Sequence, residues 1–199
     1  MGKILSVVAA LLVLNPGVSP LDAQAPRPSA AQDDRLVLAA IIEHTTRPEV
    51  RQASVRANIP NPGELLLVLE RTSIVCESDH DPTRQACVTP HDLATLRGGS
   101  AKLVDAFVER NRQSVPMPVP DNAGLQLVPF AGIQAALKRR SHETTGYSAF
   151  SLPGYSDDGQ ALVFGFYSCG GRCQRGRLFV LNRTDGGWQV ESVSTVWVS

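Results

Sequence analysis

Between Cys169 and Arg183 the charged residues are Arg172, Arg175, Arg177 and Arg183, with no acid among them. Guanidinium groups are planar forks of donors that fit carboxylate, phosphate or sulfate oxygens in pairs. Gly170-Gly171 could turn backbone N–H groups toward the same anion, as in a nest. Strand alternation makes Arg175 and Arg177 the pair to share a face. Arg172, Arg175 and Arg177 are therefore the candidate ligand-binding residues, for a small anionic ligand. The competing reading is a solvated hairpin edge whose charges resist aggregation.

Other residue types offer less. Asp79-His80-Asp81 sets two carboxylates around an imidazole, a donor set for a divalent metal. Neighbouring side chains on an extended segment point apart, so a solvated loop is the expectation and no metal site is assigned. His44, His91 and His142 have no partner at motif spacing and read as surface or helix-end residues. Asp157-Asp158-Gly159 reads as a hairpin turn rather than a calcium loop. Asn182-Arg183-Thr184 matches a glycosylation sequon, which matters only in a eukaryotic secretory pathway. The chain contains no G-x-S-x-G, S-x-x-K, H-E-x-x-H or P-loop sequence, so no catalytic residue and no cofactor is assigned.

The four cysteines are Cys76, Cys87, Cys169 and Cys173. Four cysteines allow three pairings, of which short range favours Cys76–Cys87 and Cys169–Cys173. In the chain-entropy model these closures contribute about 2.8 and about 2.1 kcal/mol before strain. A zinc site is the rival, but the spacings are not those of paired C-x2-C knuckles. Cys169–Cys173 also lacks the C-x-x-C spacing of thioredoxin-type redox chemistry.

The oxidising compartment implied by disulfides agrees with the start of the chain. Lys3, the apolar run Ile4–Leu14, the breaker Asn15-Pro16-Gly17 and Ala23-Gln24-Ala25 follow the order of an export signal. Residues 1–25 are therefore expected to be a signal peptide, cut after Ala23 or Ala25. Residues 26–32 would be a linker, and 33–199 one domain in the periplasm or outside the cell. No later run is long enough to span a membrane. The formal net charge is +0, and removal of Lys3 and Asp22 leaves it unchanged, so nothing argues for nucleic acid as a partner.

The arginines must be positioned by a sheet. Tyr147–Leu152, Ala161–Tyr167, Arg177–Leu181 and Trp188–Trp197 read as strands separated by Gly, Pro and Asp turns, the pattern of an antiparallel meander. Trp188 is expected to pack on Phe164, Phe166 or Phe179. Upstream, Asp33 or Asp34 is expected to cap a helix through Leu36–Ile42, and residues 49–57 to form another. Leu65–Leu69 reads as a buried strand, and Leu125–Val128 as a further one. Thr89-Pro90-His91-Asp92 is a helix start, Ser100 another, and Ile133–Lys138 a short helix.

Ser151-Leu152-Pro153-Gly154-Tyr155-Ser156, Ala161-Leu162-Val163-Phe164, Cys169-Gly170-Gly171-Arg172-Cys173, Gly176, Leu181, Gly187-Trp188-Gln189-Val190 and Trp197-Val198-Ser199 occur in that order. This series resembles that of a family of uncharacterised exported bacterial proteins. The resemblance implies an exported α+β domain and brings no activity with it. The expected fold is α+β, with N-terminal helices on one face of an antiparallel β-meander. The expected role is non-enzymatic: binding an unidentified protein or a small anionic ligand. The alternative is a hydrolase or other envelope enzyme whose site is assembled from distant residues.

Overall fold

The computed structural model describes residues 30–50, 66–76, 87–96, 99–120, 124–139, 141, 146–169 and 173–198. The signal and linker segments, most of the helix expected at 49–57, Asp79-His80-Asp81, His142, Gly170-Gly171 and Arg172 lie outside them. The elements run α1 (Ala30–Thr46), β1 (Leu66–Leu69), α2 (Pro90–Ala94), α3 (Ala101–Arg110), β2 (Leu125–Val128) and α4 (Ile133–Arg139). They continue through β3 (Tyr147–Phe150), β4 (Gly154–Tyr155), β5 (Gln160–Ser168), β6 (Gln174–Thr184) and β7 (Gly187–Val198).

All seven strands belong to one sheet of order β2-β1-β3-β5-β6-β7, with β4 paired to β5. From β3 onward the pairing is antiparallel, the meander expected from its turn residues. Gly159 and Gly187 take φ of 83° and 114°, left-handed conformations that glycine adopts without a Cβ penalty. The fold is therefore α+β. β1 enlarges the meander: it pairs parallel with both β2 and β3. Its four residues are all buried, as expected of a continuous apolar run in a parallel segment.

The helices occupy both faces of this sheet, where the sequence places them on one. Leu67, Ala149, Leu162, Phe164, Phe166, Leu178 and Val180 point to the side where α3 and α4 bring Leu103, Phe107, Ile133 and Ala136. Leu66, Val68, Phe150, Ala161, Val163, Phe179, Leu181 and Trp188 point the other way, onto Val37, Leu38, Ile41 and Ile42 of α1. The period-two alternation of each strand divides the core in this way. Each fully buried Leu, Ile or Phe contributes roughly 1.5–3 kcal/mol.

Local chemistry sets the helix starts. Thr89 Oγ1 accepts from Asp92 N at 3.1 Å while Asp92 Oδ2 accepts from Thr89 N at 3.0 Å, a capping box with Pro90 at the first position. Ser100 Oγ accepts from Leu103 N at 3.2 Å and caps α3. At the other end of α3, buried Asn111 donates from Nδ2 to Leu152 O and accepts from Leu152 N on Oδ1. This clamp seats the helix against the segment between β3 and β4. Gly154 completes the contact: a Cβ there would collide with the backbone of Phe107.

Asp33 and Asp34 cap nothing. α1 is already helical at Ala30, and both carboxylates reach away from their own helix. The cysteines form two disulfides, Cys76–Cys87 and Cys169–Cys173, with Cα separations of 5.6 and 5.3 Å. The first adjoins the Val75–Val88 bridge, and the second closes the end of the β5–β6 hairpin. Among the described residues, no helix is long and apolar enough to cross a membrane.

Candidate anion site

β6 carries the arginines. Its register against β5 is unbroken and sets Arg175 opposite Tyr167, Arg177 opposite Gly165, Phe179 opposite Val163 and Leu181 opposite Ala161. Arg175 and Arg177 therefore share the face of Phe179 and Leu181, on which α1 packs. Arg183 lies on that face too, but it is already neutralised. Its guanidinium donates to Asp33 and lies 4.7 Å from the centroid of the Trp188 ring.

Arg175 and Arg177 are in a different position. Arg175 is 8% exposed. The Nε of Arg177 is buried and has no acceptor. Among the described residues, no carboxylate lies within ion-pair distance of either side chain. Burial, and then the neighbouring charge of Arg175, hold the Arg177 guanidinium down to about 10, far below its usual value. Burial also lowers Arg175. Two desolvated like charges on one strand face form a pair that an anion would relieve.

His44, in the last turn of α1, stands in the same field. Burial lowers its imidazole below the usual histidine value, followed by repulsion from Arg47 and from Arg177. The sequence treats His44 as a lone helix-end residue; topology brings it toward β6 from more than a hundred positions away. His91 is exposed on α2, and Arg139 is exposed at the end of α4. Among the described residues, no group of three or more His, Cys, Asp or Glu side chains converges on a point where a metal could sit.

A second polar cluster joins α1, α3 and β4. Asp34 is 5% exposed and accepts from Arg110 Nη1 at 3.0 Å and Nη2 at 2.9 Å, a two-pronged ion pair. The Tyr155 hydroxyl donates to Asp34 Oδ1 at 2.8 Å, and Arg110 also donates to Pro153 O. Burial, then the Asp34 charge, push the Tyr155 phenol far above its ordinary range, so it stays protonated. Every group in this cluster is engaged with protein, which makes it a brace rather than a place for a ligand. A signal for it was present: Asp34 lies on the same helical stripe as Val37, Leu38 and Ile41, and a carboxylate there requires a cation.

Trp188 is buried beside that brace. It shares a cluster with Phe179, while Phe164 and Phe166 belong to the opposite face. Its ring meets Tyr155, with centroids 5.6 Å apart. No family model, no curated protein and no solved structure matches this chain.

Proposed function

We propose that the protein is an exported, non-enzymatic domain that binds a small anionic ligand between Arg175 and Arg177, with His44 at the margin. The observation that carries this reading is the buried Nε of Arg177, without an acceptor, beside a second arginine, neither having an acid within reach among the described residues. Buried polar groups are nearly always satisfied, and buried charge nearly always paired. A carboxylate, sulfate or phosphate would supply both the missing acceptor and the missing charge. Export is supported by the order of the first residues, by two disulfides, and by the likeness of the C-terminal motif series to exported bacterial proteins.

Titration with sulfate at low ionic strength, followed by calorimetry, tests the site. Wild type binds saturably, and added sodium chloride weakens the binding by screening. Arg177→Ala and Arg175→Ala each bind at least about tenfold more weakly while remaining folded, since a charged hydrogen bond is worth about 1.5–3 kcal/mol. Sulfate also raises the His44 titration midpoint, readable from its imidazole resonances, because the bound charge opposes that of Arg177. Absence of saturable binding, or equal binding by wild type and both variants, refutes the proposal. Export has its own check. Protein recovered from the native host begins near Gln24 or Pro26 on N-terminal sequencing, and an intact Met1 on cytoplasmic material contradicts it.

A further inference from the structure

β7 stands at one end of the sheet order, opposite β2. Its inner edge pairs with β6 from Gly187 to Val198, and among the described residues nothing pairs with its outer edge. An open edge presents a row of unsatisfied N–H and C=O groups, and proteins usually blunt it by shortness, lysine or proline. β7 has none of these. It is 12 residues long, contains no Lys or Pro, and carries one charge, Glu191. Its sequence holds four Val and two Trp, residues that favour extended pairing. The pairing with β6 shifts register between Val190 and Ser192 and between Thr195 and Trp197, irregularities of the kind that also blunt an edge, and Ser192–Thr195 between them runs regularly.

Exposed apolar side chains stand on this strand and on α1, beside a cleft whose lining is largely polar. Val193 is 37% exposed, Val198 68% and Leu36 on α1 45%. Leu36 lies one helical turn before Ala40, and Ala40, Glu43, His44 and Arg47 form with Trp188, Gln189 and Val190 a cleft of about 200 Å³. The cleft lies between α1 and the first half of β7, and one more strand would take its position along the outer edge of β7.

We propose that a second copy of this chain fills that position, pairing antiparallel along β7 about Ser194 and joining two sheets into one. The strand is suited to itself. In this register Val193 meets Thr195 of the second copy, and Val190 meets its Val198. Val190 and Val198 stand opposite Leu181 and Arg175, so both project on the α1 side. The most exposed large apolar side chain among the described residues thus covers the residue lining the cleft. Glu191 falls opposite Trp197 of the second copy, so the strand's one charge does not face itself. The net charge of +0 adds no long-range repulsion between copies.

Sedimentation of the disulfide-intact protein over a range of concentrations tests this, with two variants. Wild type sediments as a dimer that dissociates on dilution. Val193→Lys, at an exposed position, weakens the dimer by about tenfold or more while circular dichroism stays native. Ser194→Cys lies on the two-fold axis, where facing Cα atoms are roughly 4.5–5.5 Å apart, within disulfide range. It crosslinks in air, and Gln189→Cys does not. If Val193→Lys fails to fold, the cysteine pair alone decides. A monomer at millimolar concentration, or a dimer that Ser194→Cys does not crosslink, overturns the proposal.

Discussion

Asp34→Ala lowers the unfolding free energy by about 3–5 kcal/mol, the usual cost of removing one partner from a buried ion pair. The carboxylate accepts from both terminal nitrogens of Arg110 and from the Tyr155 hydroxyl. Its loss strands a guanidinium that is 28% exposed by side chain and lies 5.2 Å from the centroid of the Tyr155 ring. Burial opposes charge on Arg110, but the Asp34 carboxylate outweighs it and keeps the group firmly protonated. The variant therefore retains a cation with no counter-ion. Urea unfolding measures the loss, and a double-mutant cycle with Arg110→Ala measures the coupling. A loss below about 1 kcal/mol would mean that Arg110 swings into water when released, and that the cluster does not brace α1 against α3.

Trp188→Ala costs a similar amount, about 3–5 kcal/mol, for a different reason. The ring is 9% exposed and packs in the cluster with Phe150, Phe179 and Leu181. It contacts the Tyr155 ring and the Arg183 guanidinium, and its Nε1 donates to Asp33 at 3.4 Å. Truncation opens a cavity, removes an aromatic pair and a cation–π contact, and leaves Asp33 with one donor fewer. Trp188→Phe restores most of the loss because it refills the volume and the ring contact. If instead Trp188→Ala unfolds within about 1 kcal/mol of wild type, α1 closes over the gap and the ring does not anchor it.

The contrast between these two residues shows what a sequence reveals. Trp188 follows an Asp-Gly-Gly turn and precedes an alternating run, so its place on a hairpin can be read locally. The caps at Thr89 and Ser100 and the strands at 66–69, 125–128, 147–150, 160–168, 174–184 and 187–198 are equally local in origin. Asp34 was legible as a helix-start acid but not as the partner of Arg110, because that pairing spans 76 residues. The same distance problem hid the second helical face, since no periodicity says which side of a sheet a helix joins. Arg175 and Arg177 could be placed on one face from their spacing. That His44 would join their field depends on the crossing of α1 over the sheet. Arg183 shares the spacing and differs only through Asp33, again a partner remote in sequence, 150 residues away.

The parallel pairing of β1 has a consequence for the order in which the chain can fold. Leu66–Leu69 are synthesised early, yet their two strand partners begin at Leu125 and Tyr147. The hairpins from β5 to β7 close over short turns and can form as soon as they emerge. β1 must wait through more than fifty residues for its first partner, then complete two non-local pairings against the cost of closing long loops. Until then four consecutive aliphatic residues remain uncovered. A chain delivered N-terminus first thus carries this apolar segment without its full set of partners from Leu69 until Tyr147 emerges. The step that ends this exposure is the arrival of β3, which pairs with β1 on one side and with β5 on the other.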